Sequence, residues 1–119
     1  MSRFDEHESM APYQAEMCAA LANPQRILML CALAERPYHV SELAEQLGIS
    51  QPVASRHLKV LREQGLVTAE RKGAMVEYRL SDGRLIEALS LLREVLRDRF
   101  ARRASLLDAG GTPAAARQP

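Results

Sequence analysis

Tryptophan is absent from this 119-residue chain, and only Phe4, Phe100 and three tyrosines are aromatic. A core must therefore be assembled from Leu, Val, Ile, Ala and Met. There are two cysteines, Cys18 and Cys31, too few for a disulfide framework, and reducing conditions would keep them as thiols. No apolar run approaches the roughly 18–20 residues needed to cross a bilayer. The acidic start, MSRFDEHE, lacks the basic and apolar parts of a signal peptide. A reducing cytoplasm is the expected compartment. Also missing are a Gly-rich phosphate loop, a Ser-His-Asp or Cys-His arrangement, and paired carboxylates in a cleft, so an enzyme is disfavoured and no cofactor is expected.

What is present is a charge gradient. Residues 1–50 hold three arginines against seven carboxylates, net −4, whereas residues 51–119 hold thirteen basic against eight acidic side chains, net +5. The positive half begins at a helix with a basic outer stripe, where a footprint for phosphate belongs.

Hydrophobic periodicity predicts one domain over residues 12–107, between a flexible acidic arm at 1–11 and a disordered Gly/Ala/Pro-rich tail at 108–119. A first helix is expected from Pro12 to about Leu21, with Met17, Ala20 and Leu21 on its apolar side. Asn23-Pro24 reads as the start of a second, because Asn is a favoured N-cap and Pro lacks only an N–H that has no partner there. Ile27, Leu30, Cys31 and Ala34 are its expected inner stripe. Ser41 suits the cap of a third helix whose inner face holds Val40, Leu43, Ala44 and Leu47. Gly48 supplies a turn, and Ser50 caps a fourth helix that Gly65 stops. Ala54, Leu58 and Leu61 face inward there; Pro52, Ser55, Arg56, Lys59 and Glu63 must face outward.

After Gly65 the period falls from 3.6 to 2. Val76, Tyr78 and Leu80 alternate with Met75, Glu77 and Arg79, as in a half-buried hairpin strand, and Arg71-Lys72-Gly73-Ala74 reads as the turn. A last helix starting at Ser81 or Asp82 carries Leu85, Ile86, Leu89, Leu92, Val95, Leu96 and Phe100. So wide an apolar face predicts a dimer interface shared with the first helix. The fold class is mostly α with one small β-hairpin: a winged helix-turn-helix, whose second helix enters a DNA major groove.

Three segments, ALANPQRILMLCAL at 20–33, SELAEQLGISQPVASRHLKVLREQGLV at 41–67 and AERKGAMVEYRL at 69–80, together resemble the ArsR/SmtB family of dimeric bacterial repressors. The resemblance spans roughly residues 13–100 and implies four helices, a hairpin and a fifth helix. It also implies a homodimer through the first and last helices, and release from operator DNA when an inducer binds. Ser50, Gln51, Pro52, Ser55, Arg56 and Lys59 are then DNA-facing residues. Gln51 suits an adenine edge and Arg56 a guanine edge, while Ser55 can serve base or phosphate and Lys59 meets phosphate. His57 falls in the same group as a packing or phosphate residue, and Arg71 and Lys72 reach the backbone or minor groove from the wing. Blander readings stand beside these: Ser50 as a cap alone, Arg56 and Lys59 as a solvated face, and Arg71 and Lys72 as charges that keep a hairpin tip soluble.

The sensing parts of the family do not match. Its third-helix cysteine pair has no counterpart in SELAEQL, and Asp82-Gly83-Arg84 sets an arginine where a last-helix metal site has histidine. No metal site is expected; His7, His39 and Cys18 are scattered. Cys31, in ILMLC, resembles a second-helix cysteine of members that sense persulfides or oxidants, but their last-helix partner is missing and only Cys18 could replace it. Inert, buried thiols are the alternative. The expected function is a dimeric, sequence-specific transcriptional regulator, a repressor of its own operon released by an inducer or thiol-modifying agent. A winged-helix protein-interaction module without DNA binding is the rival.

Overall fold

The computed structural model describes residues 3–110, which run α1 (Arg3–Leu21), α2 (Pro24–Glu35), β1 (Tyr38–His39), α3 (Val40–Leu47), α4 (Gln51–Glu63), β2 (Val67–Lys72), β3 (Met75–Leu80) and α5 (Arg84–Gly110). They form two compact units, one ending at Gly83 and the other beginning at Arg84. No single helix among them is long and apolar enough to cross a membrane.

The first unit is built around α2, α3 and α4. Met29, Leu30, Leu43, Leu58, Leu61, Leu66 and Val67 are its largest fully buried side chains, joined by Ala20, Leu33, Tyr38, Ala44 and Ala54. Of the inner faces expected for α3 and α4, Leu43, Ala44, Ala54, Leu58 and Leu61 are buried, whereas Val40 and Leu47 are half-buried. On α2 the stripe is rotated from the expected one. Met29, Leu30 and Leu33 are buried, Ile27 and Cys31 are half-buried, and Ala34 is exposed. Both stripes fit a helical repeat, and the long side chains of Met29 and Leu33 fill the core better than those of Cys31 and Ala34.

Local chemistry explains the helix ends. Asn23 Oδ1 accepts from the backbone N–H groups of Gln25 (2.9 Å) and Arg26 (3.1 Å), which opens α2 at Pro24. α3 starts one residue before the expected Ser41 cap. His39 is its N-cap, and Glu42 Oε1 accepts from the His39 backbone N–H at 2.8 Å. That hydrogen bond, the largest influence on Glu42, holds its carboxyl below the ordinary value, with Arg36 and His39 adding to the effect.

Two matched closures bracket α4. Before it, Ile49 N–H reaches Ala44 O (3.0 Å) and Gly48 N–H reaches Glu45 O (3.2 Å); after it, Leu66 N–H reaches Leu61 O (2.9 Å) and Gly65 N–H reaches Arg62 O (2.9 Å). Both are the six-to-one and five-to-two pairs of a Schellman turn, which needs a left-handed residue. Gly48 (φ 67°) and Gly65 (φ 72°) supply it without a Cβ penalty.

Four expectations are corrected by the structure. The stretch 1–11, expected as a flexible arm, is helical from Arg3, because Asp5 and Glu6 favour a helix N-terminus and the helix continues through Pro12. The hairpin is in fact part of a three-stranded antiparallel sheet, order β1-β3-β2, in which Tyr38 pairs with Tyr78 and His39 with Glu77. Two residues are too few to show a period in sequence. The fifth helix starts at Arg84, later than expected, and runs to Gly110, into the tail expected from Asp108; residues 111–119 of that tail lie outside the described residues. Arg71 and Lys72 end strand β2, opposite Val76 and Met75, so the turn itself is Gly73-Ala74. Ser81 ties the base of this wing to the exit of α4, its N–H donating to Leu66 O (3.1 Å) and its hydroxyl to Gly65 O (2.6 Å).

The observed rotation of α2 is testable. Met29→Ala should cost about 2–5 kcal/mol in urea unfolding, whereas Leu28→Ala, at an exposed position, should change stability by no more than about 0.5 kcal/mol.

Candidate nucleic-acid interface

Helix α4 is two-faced because apolar residues recur at Ala54, Leu58 and Leu61 while polar ones occupy the opposite side. With the apolar three fully buried, Gln51, Pro52, Ser55, Arg56, Lys59 and Glu63 are all exposed. Ser50 does act as the N-cap: its Oγ accepts from Val53 N–H at 3.3 Å. Pro52 sits in the first turn, where a missing N–H costs nothing. The positive end of the helix dipole lies at the same terminus, so Ser50, Gln51 and Pro52 stand where an anion is favoured.

Charge on this face is available to a partner. The three ion pairs described are Arg36–Glu42, Lys72–Glu70 and Arg79–Glu77. Among the described residues, neither Arg56 nor Lys59 has an ion-pair partner. Glu63, which shares the face, lies a full turn beyond Lys59 toward the C-terminus.

His57 takes the packing role of the two expected for it. It is half-buried and turned toward α2. Its Nε2 lies 2.7 Å from Gln25 Oε1 and its Nδ1 lies 3.3 Å from Arg26 Nη1. An amide oxygen on one side and a guanidinium donor on the other select the neutral ring with its proton on Nε2. Burial first, then the charges of Arg26 and Arg56, hold the imidazole below its ordinary value.

Arg26 does more than hold His57. Its Nε donates to Ala20 O at 2.6 Å and its Nη2 to Ala19 O at 3.4 Å. Those carbonyls belong to the last turn of α1, which has no basic residue of its own. Arg26 therefore caps α1 from outside while bridging to α4. Gln25 and Arg26 were not singled out from sequence. Their partner is more than 30 positions away, and only their place beside the Asn23-Pro24 start marked them.

On the wing, Arg71 and Lys72 are both exposed at the far end of β2. Lys72 Nζ lies 3.6 Å from Glu70 Oε1, so part of its charge is balanced locally; Arg71 has no ion-pair partner among the described residues. The two thiols are free, with Cys18 exposed on α1 and Cys31 half-buried on α2. Cys31 borders a cleft of about 330 Å³ with Leu28, Ala32, Glu35, Gln46 and Leu47. Among the described residues, no three His, Cys, Asp or Glu side chains come together to hold a metal ion. His39 is engaged at the sheet, its Nδ1 lying 3.2 Å from Val76 O.

Similar proteins share this architecture. Residues 23–69 match the family described as bacterial regulatory protein, arsR family. The biofilm growth-associated repressor of Xylella fastidiosa is 34% identical over 88 residues, which cover 74% of this chain and 77% of that protein. The crystal structure of NolR from Sinorhizobium fredii superposes with a TM-score of 0.68 at 35% identity, covering 80% of this chain and 93% of that one. A homodimeric winged helix-turn-helix DNA-binding domain from Mycobacterium bovis gives 0.71 at 28% identity, over 80% of this chain and 88% of that one. With its winged helix fold and these relatives, the chain belongs to the ArsR family of bacterial transcriptional regulators, a family of regulators and not of enzymes.

Proposed function

We propose that this protein is a homodimeric repressor that reads a pseudo-palindromic operator with α4 and steadies itself on the flanking backbone with the wing. The observation that carries this reading is the outer face of α4, where Gln51, Ser55, Arg56 and Lys59 project and neither basic residue has an ion-pair partner among the described residues. In direct readout Gln51 pairs with an adenine edge and Arg56 with a guanine edge; Ser50, Ser55 and Lys59 serve phosphate or base. Pro52 keeps the entering turn compact. His57 positions the helix, and Arg71 and Lys72 meet phosphate or the minor groove. A module that had abandoned DNA would have no use for uncompensated guanidinium and ammonium groups on this face.

Dimerisation supplies the second half-site, about 34 Å along the duplex. The helices that pair are α1 and α5. On α1, Met10, Tyr13 and Met17 form an exposed stripe, and Tyr13 is 67% exposed. On α5, Leu91, Leu92, Val95, Leu96, Phe100 and Leu106 are exposed, Leu92 by 60%. Such faces need cover in water. The homodimeric winged helix-turn-helix domain among the similar proteins supports a dimer, and the named repressor supports repression. The expected setting is the cytoplasm, and the expected target includes the regulator's own operon. Release follows an inducer; Cys31, beside its cleft, and Cys18 are where a thiol-modifying agent would act.

Duplexes selected from a random pool by the purified protein should share a two-fold related motif. On such a duplex Arg56→Ala should lose about 1–3 kcal/mol and relax specificity at one base pair per half-site. Arg71→Ala should instead weaken all sequences alike and shallow the log–log salt slope by about one; Lys72→Ala should do so less, because Glu70 already offsets it. Equal binding of every variant duplex by wild type and Arg56→Ala would rule out direct readout by this residue.

The dimer is tested separately. Leu92→Glu with Leu96→Glu should convert the dimer to monomer in sedimentation velocity and abolish the shifted band on the selected duplex. A dimer that survives both substitutions would remove α5 from the interface.

A further inference from the structure

Arg26 and His57 join three helices at one point, and that junction has a property the DNA-reading face alone does not. The guanidinium of Arg26 spends Nε and Nη2 on the last-turn carbonyls of α1, at 2.6 and 3.4 Å, and Nη1 on His57 Nδ1 at 3.3 Å. Gln25 Oε1 takes the other ring nitrogen at 2.7 Å. His57 is flanked on α4 by Arg56 and Leu58, one reading outward and the other fully buried. The rotation of α4 about its axis therefore depends on a ring that both neighbours on α2 grip.

We propose that His57 is a proton-sensitive latch: neutral, it locks the recognition helix to Arg26 and the end of α1; protonated, it lets go. Nδ1 can accept from Arg26 only while it carries no proton. Once protonated it becomes a second donor facing a guanidinium, so the 3.3 Å contact turns from a bond into a repulsion. The charges acting on the ring are Arg26 from α2 and Arg56 from α4, both positive. From α1 the clamp meets backbone carbonyls, and Glu16 of α1 and Glu63 of α4 line the neighbouring cleft with Ala19, Ala20 and Val60. Proton uptake frees Arg26 from α4, while Nε2 still donates to Gln25 Oε1, so α4 loses its tie to the end of α1 and keeps the one to Gln25.

The sign follows from linkage. With the folded imidazole held below its ordinary 6.5, the unfolded chain takes up its proton first. The latch is fully engaged above about pH 6.5 and is lost as pH falls from there through the lower folded value. Protonation also adds a positive charge near the duplex, which favours non-specific phosphate contact. The quantity that should drop is the ratio of specific to non-specific affinity, not DNA binding as such.

The inference rests on the DNA-reading assignment of α4, and the test separates the two. Fluorescence anisotropy at constant ionic strength would compare a pool-selected duplex with a scrambled duplex between pH 7.5 and 5.5. For wild type the specificity ratio should fall severalfold as His57 takes up its proton. For His57→Gln, which keeps an amide able to meet both Gln25 and Arg26 but takes up no proton, the ratio should stay flat. A parallel fall in wild type and His57→Gln would overturn the latch. Without DNA, the wild-type protein can be titrated by NMR. The His57 ring signal and the backbone amides of Arg56, Leu58, Ala19 and Ala20 should move with one shared midpoint below 6.5, and separate midpoints would overturn the coupling. Absence of binding to any duplex at any pH would defeat the DNA-reading assignment, while the NMR midpoints would still decide the latch.

Discussion

An amphipathic helix of 13 residues can offer a fixed set of polar side chains to a partner only if its rotation about its own axis is settled. In α4 that constraint is met from three directions. Ala54, Leu58 and Leu61 are buried without remainder, which orients the inner face. Schellman closures at Gly48 and Gly65 fix where the helix begins and ends. The Arg26–His57–Gln25 junction adds a polar restraint on the flank, where hydrophobic contact alone would permit some roll. The outward placement of Gln51, Ser55, Arg56 and Lys59 is a consequence of these three, not an independent feature.

The rest of the first unit transmits that constraint. The end of α1 is held through its last carbonyls by Arg26, so the helix with the exposed Met10–Tyr13–Met17 stripe and the helix that reads outward share one side chain. The wing leaves α4 directly through Leu66 and Val67, and Ser81 fastens its far strand to the same exit. Movements of the end of α1 or of the wing are thereby referred to α4 over a few hydrogen bonds. The third helix carries no cysteine, and Arg84 opens α5. The titratable side chain at the Arg26 junction is His57.

Much of this was legible in the sequence because it depends on period and punctuation. Ser50, Gly48 and Gly65 marked the ends of α4, and the inner and outer faces of α3 and α4 followed from 3.6-residue spacing. The reading of α2 was rotated because Leu30 satisfies either stripe, and only tertiary packing chooses Met29 and Leu33 over Cys31 and Ala34. Strand β1 was invisible because Tyr38 and His39 become a strand only by pairing with β3. Pro12 suggested a helix start, since its local preference is for a first turn, yet the helix runs through it from Arg3. The junction at His57 escaped notice for a similar reason: Arg26 and His57 are neighbours by fold alone. Outward faces belong to local periodicity, whereas the polar contacts that steady them belong to distant parts of the chain.

Ser55, Arg56 and Lys59 have exposed side chains, and neither basic residue has an ion-pair partner among the described residues. Replacing an exposed side chain of this kind changes folding free energy by no more than about 0.5 kcal/mol. The side chains of this outer face are consequently free to drift while the frame that holds them stays fixed. One scaffold can therefore carry a changed outer face after a few codon changes at these positions, at little cost in folding stability.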